Sequence, residues 1–208
     1  MGFEDSALTR LRRYRDEADC SLGLMREAED AARLFSERLF SGLEYTVALG
    51  QQAGFEVETT HVGDTLALRV IAGPGSEAGV TFGLLRGSSA ETDEDLMHED
   101  LSRYSLDPSG YSGRIIGFSE AAGEEICQTF AVYRDGVWKT KGLFVARARG
   151  KVDDPDEVIN GFCLRIIGRL VDLAATTGGA GKRWSGDPYT LQDLREKRPF
   201  PMEIRFPR

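Results

Sequence analysis

From Phe55 to Gly87 and again from Gly113 to Gly150 apolar residues recur largely at every second position, with glycine-centred breaks between runs; outside these stretches the pattern changes, to steps of three and four in the first and last parts of the chain. That change of period is the strongest constraint on the fold. A period of two gives a strand one buried face, and a period near 3.6 gives a helix one buried stripe. Breaks such as Gly63-Asp64, the loop from Gly73 to Gly79, and Asp135-Gly136 are short enough to join neighbouring strands as hairpins. The chain therefore reads as an α+β fold, an antiparallel sheet of about five to six strands packed on long N- and C-terminal helices, with an extended C-terminal tail. Its length suits one α+β domain over residues 1–180, with a helical region at about 6–49, and a tail or arm over 181–208.

The first helix is expected from Leu8, Leu11, Ala18, Leu22, Met25, Ala28, Ala32, Phe35 and Leu39, at steps of three, four or seven. Gly23 and Ser41-Gly42 are its weak points, where it could break in two. The stripe is narrow early and wider after Leu34, so the first half suits a partner helix and the second a sheet. In the last helix Asp154 is the expected N-cap, Pro155 the first helical residue and Glu157 the third. Its buried stripe is Ile159, Phe162, Cys163, Ile166, Ile167, Leu170 and Val171, and Gly178-Gly179 closes it. Between the two strand groups, residues 91–106 read as a short acidic helix.

No stretch approaches 18 uninterrupted apolar residues, so no membrane span is expected, and the start lacks the pattern of a signal peptide. A formal charge of −8 disfavours binding of nucleic acid by the surface as a whole. Cys20, Cys127 and Cys163 are odd in number and far apart, which suits a reducing, cytoplasmic setting rather than a disulfide framework or a zinc site.

Phosphate chemistry is the obvious reading of the stretch Ala175 to Trp184, which is rich in glycine and contains Gly181-Lys182. A phosphate loop needs a first glycine, a hydroxyl after the lysine and a following helix whose N-terminus faces the anion. Here Thr176 and Arg183 occupy those two positions, and the stretch follows a helix, whose C-terminal dipole repels anions. It is a joint. The acidic run Asp93 to Asp100 lacks the central glycine and closing glutamate of a calcium loop. No nucleophile has a base beside it in sequence, so no catalytic residue, metal site or cofactor is expected.

Two features remain as candidate sites. After Gly136, alternate positions carry Lys139, Lys141, Leu143, Val145, Arg147 and Arg149 on one strand face, opposite Val132 and Phe130, while Tyr133, Trp138 and Phe144 take the other face. The four cations could hold an anionic ligand, or form a solvated face balanced by acidic side chains. In the tail, Phe200, Met202, Ile204 and Phe206 alternate strictly, so that segment would dock along a sheet edge within its own chain or in a second copy. The expected function is a non-enzymatic, cytoplasmic protein-binding or regulatory module acting as a homo-oligomer. Its partner is expected to be another copy of itself, or another protein, rather than a membrane or nucleic acid. The alternative is a small-molecule sensor or enzyme with an anion-binding pocket beside the basic sheet face.

Overall fold

The computed structural model describes residues 3–85, 111–119, 125–177 and 191–196. In chain order the elements are α1 (Phe3–Gln52), β1 (Glu56–Val62), β2 (Thr65–Gly73), β3 (Ser76–Leu85), β4 (Ser112–Ser119), β5 (Glu125–Tyr133), β6 (Val137–Gly142), β7 (Arg147–Lys151), α2 (Asp156–Thr177) and the short α3 (Leu191–Arg195). The strands form one sheet in the order β1 to β7, each antiparallel to its neighbours. The α+β class with an antiparallel sheet is as the periodicity predicts. The strand count is corrected to seven, because residues 137–149 are two strands rather than one.

The chain breaks there around Gln128 and Gly142, which are partners across β5 and β6. The fully buried Gln128 carboxamide accepts from the amides of Phe144 and Val145 at 3.1 and 3.2 Å, and donates to the Val145 carbonyl at 3.0 Å. A side-chain amide thus satisfies the backbone of the turn, and β7 folds back beside β6. Leu143, Phe144 and Val145 consequently pack with the helix-side core instead of extending a strand.

The Asp135-Gly136 hairpin is also shifted by one residue from expectation. Gly136, at φ 78°, donates to the Tyr133 carbonyl at 2.9 Å and closes a three-residue loop. Lys139 therefore faces Ala131 and Lys141 faces Thr129, not Val132 and Phe130. Because strand faces alternate, Tyr133 moves to the lysine face, away from Trp138. The seven-residue loop expected at Gly73 is likewise tighter: Gly73 pairs with Ser76, leaving Pro74-Gly75 as a two-residue turn with Gly75 at φ 74°.

Both long helices cover one face of the sheet. Phe35 on α1 stacks on Trp138 at 5.0 Å, and Phe162 on α2 meets Trp138 edge-on at 5.4 Å and Phe130 at 5.7 Å. Fully burying such side chains stabilises by about 1.5–3 kcal/mol each. The expected α2 stripe is buried at Ile159, Phe162, Cys163, Ile166, Ile167 and Leu170. Asp154 turns backwards, however, its carboxylate accepting from the Lys151 amide at 2.7 Å and fixing the β7–α2 turn.

The first helix is one unbroken element of 50 residues. Gly42 does not break it, because its bare Cα lets α2 approach: an added Cβ would lie 2.9 Å from Cys163 Sγ. Gly113 on β4 does the same for the sheet, where a Cβ would lie 2.7 Å from the Ala28 carbonyl. Ala28 is the first fully buried residue of α1; every residue from Leu8 to Cys20 is exposed, Ser21 and Gly23 to Met25 are partly buried, and Glu27 already pairs with Arg134 of the β5–β6 loop at 3.4 Å.

Candidate functional site

The face of the sheet turned away from α1 and α2 carries the predicted cations. Lys139 lies opposite Arg149, and Lys141 opposite Arg147, on β6 and β7. Two residues along β4 and β5 extend the first row, because Lys139 faces Ala131 and Ala131 faces Arg114. The sheet pleat thus sets Arg114, Lys139 and Arg149 in one line, with Lys141 and Arg147 beside it. The sequence reading missed Arg114. Its signal was a lone charge at the alternate positions of Arg114, Ile116 and Phe118.

This is not an open solvated face throughout. Lys139 and Arg114 are each only 3% exposed, whereas Arg147 and Arg149 are exposed at the β7 edge. All five cations are engaged by other groups of the chain. Thr129, buried on β5 in line with Lys141 and Arg147, finds no partner for its hydroxyl among the described residues. Like charges directly opposite across a strand pair are destabilising on their own.

The second candidate surface is the projecting half of α1. Leu8, Leu11 and Leu22 are 53%, 62% and 49% exposed, and Tyr14 is exposed beside them. Leu8, Leu11 and Leu22 belong to the stripe read from the sequence, and these three members of it are exposed among the described residues. Phe200, Met202, Ile204 and Phe206, the other candidate interface, lie outside the described residues. So do the acidic run at 91–106 and the glycine-rich joint at 178–184. From the tail, Leu194 on α3 packs against Gly83 and joins a small cluster with Leu85, Ile116, Phe118 and Ile126 on the cation face.

A groove of about 410 Å³ opens between α1 and α2, lined by Glu37, Arg38, Ser41, Tyr45, Asp156 and Asn160. Its one cation is already committed: Arg38 donates to the carbonyls of Val152 and Asp154 and to Asp156. His61 is similarly occupied, with one ring nitrogen 3.1 Å from Glu44 and the other 3.2 Å from the Gly63 carbonyl. Burial pushes the Cys163 thiol up to about 12 and the Cys127 thiol further still, so neither is a thiolate nucleophile at neutral pH. Cys20 is exposed on the projecting helix. Among the described residues no three His, Cys, Asp or Glu side chains converge on a metal position, and no helix is long and apolar enough to cross a membrane.

In comparisons with known proteins, no family model matches this sequence, and no curated protein or solved structure matches it significantly.

Proposed function

We propose that this chain is a non-enzymatic binding or regulatory module that assembles with a second copy of itself through the projecting half of α1. One observation carries the reading. The helix exposes every residue from Leu8 to Cys20, Leu8, Leu11 and Tyr14 among them, and Leu22 just beyond. An isolated helix of that length is marginal in water, and helices in proteins owe most of their stability to packing an apolar face. An apolar stripe on a projecting helix marks an interaction surface. The three unpaired cysteines and the charge of −8 support a cytoplasmic setting. The alternating tail residues Phe200, Met202, Ile204 and Phe206 are a second candidate contact in the same assembly.

The experiment is a solution mass of the full chain beside Leu11→Glu/Leu22→Glu. The expected result is about twice 22.9 kDa for the native chain and 22.9 kDa for the variant, with unchanged thermal unfolding of the sheet domain. A native chain that stays at 22.9 kDa at every concentration reached overturns the reading.

A second reading, an anionic small-molecule ligand on the cation face, is supported by the two like-charged cross-strand pairs Lys139–Arg149 and Lys141–Arg147. A bound anion would relieve their repulsion.

A further inference from the structure

The charges beside the apolar stripe of α1 specify how two arms would meet. Written as heptads, Leu8 and Leu22 occupy a positions, and Leu11, Ala18 and Met25 occupy d positions, with Arg15 at the central a. The e positions are then Asp5, Arg12, Asp19 and Arg26, alternating in sign, while the g positions Ala7, Tyr14, Ser21 and Ala28 carry no charge. None of the four e residues forms an ion pair among the described residues, whereas the neighbouring Arg13 pairs with Glu17 within the helix at 3.3 Å.

Consider first a parallel pair in register. Its flanking contacts run from g to e, and every one would match a charge with a neutral residue. Its core would also set Arg15 against Arg15 of the second copy. Now reverse one helix so that a layers meet d layers. Leu8 meets Met25, Leu11 meets Leu22, and Arg15 meets the small Ala18. The flanking contacts now run from e to e, and the same register brings Asp5 to Arg26 and Arg12 to Asp19, each twice by symmetry. Four opposite-charge pairs arise from one choice of direction, with no adjustable register.

The length agrees independently. In that register Asp5 of one copy lies level with Ala28 of the other, where α1 first seats on Gly113. The overlap therefore covers the exposed segment and ends on the turn of α1 that meets the sheet domain, where Glu27 pairs with Arg134.

We infer that two copies of this chain pair through residues 5–28 of α1 as an antiparallel two-stranded coiled coil, with the sheet domains at opposite ends; this rests on the self-association proposed above. The apolar layers supply the attraction, and the alternating e charges select direction and register.

The test combines charge reversal with a distance. Arg12→Asp places like charges together twice per dimer and should weaken dimerisation by about tenfold or more, and Asp19→Arg added to it should restore the native affinity. In a parallel pair Arg12 faces Ala7, so the single reversal would change little and the second would rescue nothing. For the distance, spin labels go on Thr9→Cys in a Cys20→Ser background, since the remaining cysteines are buried. The antiparallel register offsets the two positions by about 15 residues at 1.5 Å each, giving ~24 Å between backbones including the lateral spacing. A parallel pair gives ~10 Å. A dimer with the short distance, or one indifferent to the charge reversals, overturns the antiparallel arrangement and leaves self-association standing. A native monomer overturns both.

Discussion

Gly142 lies directly opposite Gln128 in the β5–β6 ladder, and the Gln128 carboxamide fills the space a side chain at 142 would need. A Cβ there would sit 2.6 Å from Gln128 Cα and inside contact distance of the Cys127 carbonyl, with backbone that cannot yield. The pair acts as one unit: the glycine makes room, and the glutamine satisfies the turn that turns β6 into β7. Gln128→Leu should therefore leave the amides of Phe144 and Val145 and the Val145 carbonyl buried without partners. The expected loss is roughly 3 kcal/mol or more, since each orphaned group costs about 1–3 kcal/mol. Gly142→Ala should destabilise comparably. Urea unfolding checks both, and a loss under about 1 kcal/mol for Gln128→Leu would refute the account.

Arg38 ties the middle of α1 to the start of α2 through two carbonyls, those of Val152 and Asp154, and one carboxylate, Asp156, at 2.5 Å. The carboxylate is largely exposed, so its ion pair contributes about 0–1 kcal/mol. The carbonyls belong to the turn and lose a charged donor if Arg38 is removed, at about 1.5–3 kcal/mol for such bonds. Arg38→Ala should thus cost more than twice as much as Asp156→Asn. Equal losses in urea unfolding would place the stabilisation in the ion pair instead.

How much of this was legible beforehand follows from which interactions are local. The α2 stripe from Ile159 to Leu170 and the strands β2 and β4 could be read because the period of apolar residues depends on neighbours in sequence. The break at Gly142 could not. It depends on Gln128 reaching across the sheet, and the sequence around 137–149 alternates well enough to pass as one strand. The shifted hairpin has the same character, since Asp135-Gly136 suits a two-residue or a three-residue loop, and one residue of difference exchanges the faces. The alternation put Lys139, Lys141, Arg147 and Arg149 on one face of a single strand, whereas the structure divides them between two neighbouring strands. That the two pairs stand opposite each other, with Arg114 in line, required the strand order. The heptad charges of α1 were present in the sequence throughout. Their significance depended on learning that residues 8–20 are exposed on every side.

If the cation face takes an anion, inorganic pyrophosphate at low millimolar concentration should raise the thermal midpoint by several degrees. The size follows from mass action, since a ligand at 100 times its Kd stabilises by about 2.7 kcal/mol. Arg147→Gln/Arg149→Gln removes the exposed half of both like-charged pairs and should abolish the shift while leaving the sheet folded. A shift that survives in this variant would place the anion elsewhere, and no shift in the native chain would discard the ligand reading. Low concentration matters, because anions such as phosphate stabilise most proteins by general exclusion when concentrated.

The buried thiols give the fold a pH dependence of predictable sign. Cys163 sits against the Leu39 carbonyl beneath Gly42, and burial raises it from 9.0 to about 12. Above pH 9 the unfolded chain sheds this proton while the folded chain keeps it, so the unfolded state gains and stability falls as pH rises. Below pH 9 the thiol is protonated in both states and contributes no slope. From pH 9 upward Cys163 steepens this decline, and Cys127, raised by burial in the same way, adds to it. Other groups titrate in that range, so the informative quantity is a difference between slopes. In urea unfolding from pH 8 to 10.5, Cys163→Ala should show a shallower decline than the native chain, whatever it loses in absolute stability. At pH 8 a thiol reagent should modify only Cys20 in the folded protein and all three cysteines in urea. Parallel pH slopes for the two proteins, or rapid labelling of Cys163 without denaturant, would show that this thiol is not sealed between α1 and α2.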